Sequence, residues 1–148
     1  MTESTDAAAL PRTARILHGA IVVGLLALLG VFYVLARSTP LSPTPFAEGA
    51  DVVLRLVGAG LGVGVLIAAR ALRRQMIPLE PHGDEAAWWQ TYLPRAIAIW
   101  AIAEAAGIAG GVFWWVSGDA VLGLGLGGVA LAILLWTSPA RLRTAVDS

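Results

Sequence analysis

Four long apolar stretches, separated by short polar segments, make up most of this chain. They cover about residues 15–36, 51–72, 92–116 and 120–136. A helix needs roughly 17–25 mostly apolar residues to cross a hydrocarbon core about 30 Å thick. The stretches are predicted to be helical, because lipid offers no hydrogen-bond partner to an unpaired backbone group. The pattern therefore predicts an all-α integral membrane protein with one four-helix transmembrane domain over residues 15–138.

The polar segments are predicted to be connections of different kinds. Residues 37–50 contain three prolines, which favour an extended, non-helical loop. Residues 73–91 include the sequence DEAAWWQTYL, which is compatible with either a short helix lying in the interface or an anchored loop. Residues 117–119, Ser-Gly-Asp, are predicted to form a tight turn between the third and fourth spans.

Arginine placement predicts the orientation of the spans. Eight arginines lie on one side of them: Arg12, Arg15, Arg70, Arg73, Arg74, Arg95, Arg141 and Arg143. The opposite side has Arg37, and Arg55 lies about one turn inside the second span. Cytoplasmic segments of membrane proteins have an excess of basic residues. Both predicted tails, residues 1–14 and 139–148, are therefore expected in the cytoplasm.

Composition supports the membrane prediction and argues against several functions. Hydrophobic residues are 57% of the chain and charged residues 14%, against roughly 25% charged residues in a soluble domain. The formal net charge is zero, so no general attraction to nucleic acid is expected. The chain has no Cys and two widely separated His, so neither a metal site nor a cofactor is predicted. No nucleophile–base pair is apparent, and an enzyme is not expected.

The choice of residue types also indicates an origin. Every basic residue is Arg and none is Lys, and Ala, Gly and Leu are abundant. This usage suggests a GC-rich bacterial genome. The expected location is therefore the bacterial inner membrane, with the lipid bilayer as the first partner.

Glycines recur at short spacing in the second and fourth spans. The positions are Gly58, Gly60, Gly62 and Gly64, followed by Gly123, Gly125 and Gly127. Small residues four apart let two membrane helices approach closely. The two tracks of the second span lie about 200° apart around the helix, at about 100° per residue. The tracks are interpreted either as packing surfaces within one bundle or as contacts with copies of the chain or partner subunits.

Glu104 lies near the middle of the third span and is the main candidate for chemistry. A charged side chain at this depth costs at least about 2.5–3.5 kcal/mol, so desolvation favours the uncharged acid. Such a carboxyl could bind and release a proton. It could equally be a structural acid that forms a hydrogen bond with a neighbouring helix. Both interpretations stay open at the level of sequence.

Two other polar residues within the spans are possible partners of Glu104. Arg55 is about eight residues of depth away, or about 12 Å along a helix. Its long side chain is expected to extend outward, toward Glu48 or Asp51. His18 lies one turn inside the first span, where it is expected to be an interfacial residue, with a proton relay to Glu104 as the alternative.

Three stretches of the second and third spans share the pattern of a known family. They are GAGLGVG at residues 58–64, RRQMIP at 73–78 and AIAEAAGIAGG at 101–111. Together they resemble the proteolipid hairpin, the c subunit of rotary ATP synthases. That family has alternating glycines in its first helix, Arg-Gln-Pro in a cytoplasmic loop and an ion-carrying acid in its second helix. The resemblance implies that Glu104 occupies the proton-carrying position; Met76 stands where the family has Pro.

Two functions follow as expectations. The first is a small, non-enzymatic integral membrane protein that acts as an accessory or structural component of a larger membrane assembly. Its expected partners are other membrane-protein subunits or copies of itself. The second is a proton-linked carrier or channel in which Glu104 titrates.

Overall fold

The computed structural model describes residues 3–38 and 50–144, and the side chains of residues 9–38 and 52–144. In this part of the chain all regular secondary structure is helical. The helices are α1 (Glu3–Ser38), α2 (Ala50–Arg74), α3 (Glu85–Ser117), α4 (Ala120–Trp136) and α5 (Pro139–Arg143). The all-α prediction is therefore confirmed. The proline-rich connection, with Pro40, Pro43 and Pro45, lies outside the described residues.

Three of the described helices are long and apolar enough to cross a membrane. The candidate spans are Ala9–Ser38, Val52–Arg74 and Glu85–Ser117. The apolar helix α4 is shorter, with 17 residues, or about 26 Å at 1.5 Å per residue. The chain is thus a helical protein compatible with a membrane.

Helix α1 begins earlier than the hydropathy pattern indicates. Residues 3–14, predicted to belong to a polar tail, form its first turns and continue through Pro11. The run Ala7–Ala9 favours this extension, because Ala has the highest helix propensity. Ala14 is fully buried, so this part of α1 already contacts the rest of the fold.

Helix α3 also starts before its predicted first residue. The DEAAWWQTYL segment is neither a separate interfacial helix nor a loop, because Glu85 already belongs to α3. Asp84 caps this end: its carboxylate accepts hydrogen bonds from the backbone N–H groups of Ala86, at 2.8 Å, and Ala87, at 3.3 Å. An Asp at this position satisfies donors that have no partner within the helix. Pro94 consequently lies inside α3.

Helix α3 is the centre of the bundle and packs against α1, α2 and α4. Small residues on α3 allow this close approach. Ala96, Ala103 and Ala106 are buried, and Ile99 and Trp100 between them are completely buried. The outer faces of α1 and α2 remain exposed, so lipid or another protein has to cover them.

The connection between α3 and α4 is a two-residue turn. Gly118 ends α3 in the left-handed conformation, with φ 71°, and its N–H donates to Trp114 O. Glycine adopts this conformation without the steric cost that a side chain imposes. Asp119 begins α4 by accepting a hydrogen bond from Val121 N at 2.9 Å.

The C-terminal segment folds back onto the bundle. Residues 139–143, predicted as part of a tail, form α5, and Leu142 is buried. Arg143 pairs with Glu85 at 2.6 Å, and its carbonyl accepts a hydrogen bond from Leu79 N at 3.0 Å. Glu85 also lies 3.6 Å from Arg15 of α1. These contacts place the start of α1, the start of α3 and α5 at the same end of the bundle.

Candidate functional site

Glu104 faces α1 from the middle of α3. Its Oε1 atom lies 4.0 Å from the point that a Cβ on Gly24 would occupy. The side chain is half-buried. Among the residues whose side chains are described, no ion pair or hydrogen bond to its carboxylate is found. The absence of a side chain at Gly24 leaves room beside a carboxyl group that no described residue binds.

Arg55 does not approach Glu104. Its guanidinium extends to the α3–α4 turn, where Nε lies 2.8 Å from Asp119 Oδ2. The direction agrees with the expectation that this side chain extends outward, but the partner is one that the sequence analysis did not consider. The expected partners, Glu48 and the side chain of Asp51, lie outside the described residues.

The environment of Asp119 holds it as a carboxylate. Burial acts to raise its pKa, but this effect is outweighed by the hydrogen bond from Val121 N and by the hydrogen bond and charge of Arg55. The pKa of Asp119 consequently lies below its ordinary value. The Arg55–Asp119 pair thus presents one positive and one negative charge at the end of the bundle.

His18 is buried between three helices. Its Nε2 atom lies 2.9 Å from Leu134 O, and its ring meets the Trp100 ring edge-on, with centroids 5.0 Å apart. A carbonyl oxygen can only accept, so Nε2 carries a proton. Gly24, which lies beside the carboxyl of Glu104, is six residues further along α1, or about 9 Å. The structure therefore places His18 in a different layer from Glu104.

The carbonyl end of α4 is closed by donors from each of the three other long helices. His18 of α1 donates to Leu134 O. Arg73 of α2 donates to Trp136 O at 2.7 Å and stacks on the Trp136 ring. Trp100 of α3 donates to Thr137 O at 2.9 Å. We call His18, Arg73 and Trp100 the α4 cap, because they satisfy carbonyls that have no partner within the helix.

Of the three residues in the α4 cap, only His18 stands out in the sequence. Arg73 was assigned to the basic side of the protein, and Trp100 was not distinguished from other apolar residues. The role of Arg73 could be predicted from its position at the end of an apolar span, because its long side chain can reach the end of a neighbouring helix. Arg73 also donates to Arg141 O at 2.9 Å, which ties α2 to α5.

Four of the predicted glycines face other helices. A Cβ on Gly58 would lie 2.7 Å from Leu122 Cδ2, and one on Gly62 would lie 3.3 Å from Leu126 Cδ2. Gly123 faces Trp114, and Gly127 faces Leu29. These positions bring α2 close to α4, and α4 close to α3 and α1.

The other three predicted glycines face outward. A Cβ on Gly60, Gly64 or Gly125 would meet no atom within 4 Å. The two tracks of the second span therefore have different surroundings: one faces α4 and the other faces away from the bundle. The closest glycine contacts include three positions on α3: Gly107, Gly110 and Gly111.

An apolar groove of about 480 Å³ opens between α2 and α4. Its walls include Gly58, Gly62 and Val63 on one side and Gly125 and Leu126 on the other. The outward-facing Gly125 lines this groove. Three of its lining residues are glycines: Gly58, Gly62 and Gly125.

The described side chains contain no cluster of three or more His, Cys, Asp or Glu residues that could hold a metal ion. The chain matches no protein-family model, no curated protein and no solved structure.

Proposed function

We propose that this protein is a small, non-enzymatic integral membrane protein that acts as an accessory or structural component of a larger membrane assembly. The supporting observation is a strip of exposed residues on α2. The strip consists of Val53, Val57, Gly60, Gly64, Ile67 and Ala71, all of which face away from the bundle. We call it the α2 seam.

The spacing of the α2 seam matches that of a helix-packing surface. Its steps alternate between four and three residues, the repeat by which one helix faces a partner helix along its length. Gly60 and Gly64 at its centre allow close approach of another backbone. A surface that contacts lipid alone has no need of glycine, which costs about 1 kcal/mol relative to Ala in a helix. The proposed occupant is a helix of another subunit or of a second copy.

In the proposed arrangement α1, α2, α3 and α4 cross the bacterial inner membrane, and both termini lie in the cytoplasm. Eight of the ten arginines lie toward the proposed cytoplasmic side, which supports this orientation. We count α4 among the membrane-crossing helices because both of its ends are polar: Arg55 binds Asp119 at one end, and Arg73 binds Trp136 O at the other. In this arrangement Arg55 lies near one surface of the bilayer and Arg73 near the other.

The test is isolation of the tagged protein from its host membrane in mild detergent, followed by native mass spectrometry. We expect the wild-type chain to retain a second copy or another membrane subunit. Gly60→Leu should release it, because the new side chain separates the two helices. Gly30→Leu is the matched control, since Gly30 on α1 also has open space around it. An assembly that survives Gly60→Leu unchanged contradicts the proposal.

A second candidate function is a proton-linked carrier or channel. It is supported by the half-buried, unpartnered state of Glu104 within the described side chains and by the open space at Gly24. The resemblance of α2 and α3 to the proteolipid hairpin points in the same direction. In this proposal Glu104 takes up a proton from one side of the membrane and releases it to the other.

The two candidates differ in measurable proton movement. Wild-type protein in vesicles that contain a pH-sensitive dye should dissipate an imposed pH difference if Glu104 carries protons. Glu104→Gln should then abolish the flux while the protein remains folded. Equal, background-level flux in both proteins excludes the carrier and leaves the assembly role.

A further inference from the structure

The groove between α2 and α4 has the length of one bilayer leaflet. Along α2 it runs from Arg55 to Leu66, and along α4 from Val121 to Val129. Eleven residues of helix correspond to about 16 Å, which is close to half of the roughly 30 Å hydrocarbon core. A membrane-crossing helix would need a groove along the whole bundle. The dimensions fit a chain that enters from one surface and stops near the midplane.

The mouth of the groove is polar and contains both signs of charge. Arg55 and Asp119 pair there, with side chains 65% and 17% exposed. Among the described side chains only Nε of Arg55 has a partner, so no described residue occupies its two terminal nitrogens. Asp119 accepts from Arg55 and Val121. A carboxylate has about four lone-pair sites, so acceptor capacity remains.

We propose that this groove binds a zwitterionic phospholipid with a primary ammonium headgroup, such as phosphatidylethanolamine. One acyl chain lies in the groove, the phosphate accepts hydrogen bonds from the terminal nitrogens of Arg55, and the ammonium donates to Asp119. Planar guanidinium groups bind phosphate oxygens in paired hydrogen bonds. The headgroup thereby meets each charge of the pair with its opposite.

The charge pair distinguishes this lipid from the other common classes. An anionic lipid without an ammonium could bring its phosphate to Arg55 but would supply no positive charge to pair with the Asp119 carboxylate. A choline headgroup carries a positive charge but no N–H donor for Asp119. The proposal concerns a surface different from the α2 seam and does not depend on the proposed assembly or carrier function.

Native mass spectrometry of the purified full chain tests the headgroup preference. The protein is mixed with equal amounts of phosphatidylethanolamine, phosphatidylcholine and phosphatidylglycerol with identical acyl chains. We expect one bound phosphatidylethanolamine per chain and about tenfold weaker binding of the other two, the effect of losing one charge-assisted hydrogen bond. Equal retention of all three lipids overturns the proposal. This test uses only the wild-type protein, so misfolding of a variant cannot affect it.

Two glycine variants test the position of the acyl chain. Gly125→Leu should fill the groove and reduce phosphatidylethanolamine binding about tenfold, the effect of a few displaced methylene groups. Gly128→Leu is the matched control, because Gly128 is also on α4 with open space around it but does not line the groove. Unchanged binding in Gly125→Leu, or an equal loss in both variants, contradicts the groove as the site.

Arg55→Gln tests the phosphate contact separately. It should weaken phosphatidylethanolamine binding about tenfold, whereas Arg37→Gln, on α1, should leave it unchanged. Melting temperatures of all variants in the same detergent separate loss of binding from loss of folding. If a folded Arg55→Gln variant keeps the wild-type preference, the headgroup does not contact Arg55 and the proposal fails.

Discussion

The Nε2 atom of His18 on α1 lies 2.9 Å from the carbonyl oxygen of Leu134 on α4, across 116 residues of sequence. The carbonyl belongs to the last turn of α4, where the helix itself provides no donor. In a membrane there is little water to replace a missing partner. This hydrogen bond therefore stabilises the contact between the first and the last long helix.

His18→Phe is expected to destabilise the fold by about 1–3 kcal/mol, because it leaves a buried carbonyl unsatisfied while keeping an aromatic ring near Trp100. Thermal unfolding in detergent, followed by circular dichroism, measures the effect. His82→Phe is the control, since His82 is exposed. An equal melting temperature for wild type and His18→Phe would show that the hydrogen bond contributes nothing to stability.

The Arg55–Asp119 pair is expected to make stability depend on acid pH. The pKa of Asp119 is lowered in the folded protein, so its contribution is fully present above the ordinary Asp pKa of about 3.9. The contribution is lost as the pH falls through the folded-state value. Because Arg55 is largely exposed, the expected effect is below about 1 kcal/mol.

Asp119→Asn isolates this contribution. Asn can still cap α4 but cannot titrate. The difference in melting temperature between wild type and Asp119→Asn should be larger at pH 7 than at pH 3. A difference that stays constant across this range would mean that the ion pair does not stabilise the fold.

Packed and open glycines are expected to respond differently to the same substitution. A Cβ on Gly110 would lie 2.7 Å from Leu126 Cβ and 3.2 Å from Gly123 O, whereas one on Gly128 would meet nothing within 4 Å. Gly110→Ala should therefore lower stability by about 1–3 kcal/mol through overpacking. Gly128→Ala should be neutral or slightly stabilising. Similar melting temperatures for the two variants would contradict the packing of α3 against α4.

Glu104 is expected to lower the stability of the fold, and a function would explain its presence. No described side chain binds it, so Glu104→Leu should raise the melting temperature by removing a polar group from apolar surroundings. Glu104→Gln should leave it nearly unchanged. A clear loss of stability in both variants would indicate a structural hydrogen bond instead.

Accessibility of the Glu104 carboxyl can be measured with dicyclohexylcarbodiimide, which reacts with the protonated acid. Mass spectrometry should locate the adduct on Glu104, with slower reaction as the pH rises. Gly24→Leu should reduce labelling by filling the adjacent space, whereas Gly19→Leu, with open surroundings, should not. Labelling unaffected by Gly24→Leu would place the carboxyl away from α1.

The proposed orientation predicts the side from which single cysteines react. The natural chain has no Cys, so each introduced residue reports alone. Ser42→Cys should react with an impermeant thiol reagent added outside intact cells, and Ser148→Cys should react only after the membrane is opened. The reverse pattern would invert the orientation.

The sequence by itself determined that this protein is helical and apolar enough for a membrane, because hydropathy and helix propensity act over a few neighbouring residues. The turn at Gly118 and Asp119 was predictable for the same reason. The start of α3 was not, since Asp84 and Glu85 are polar by composition. Asp84 is nevertheless the cap of α3 and Glu85 is its first residue, so the helix extends beyond its apolar part.

Tertiary structure decided which polar groups and glycines meet. Glycines at alternate positions of α2 look equivalent in the sequence, yet Gly58 faces Leu122 and Gly60 faces outward. Arg55 binds Asp119, which lies 64 residues away in the sequence. Such contacts depend on the rotation and depth of each helix relative to the others. Those variables are set by the sum of many small packing energies between helices, and no local pattern contains them.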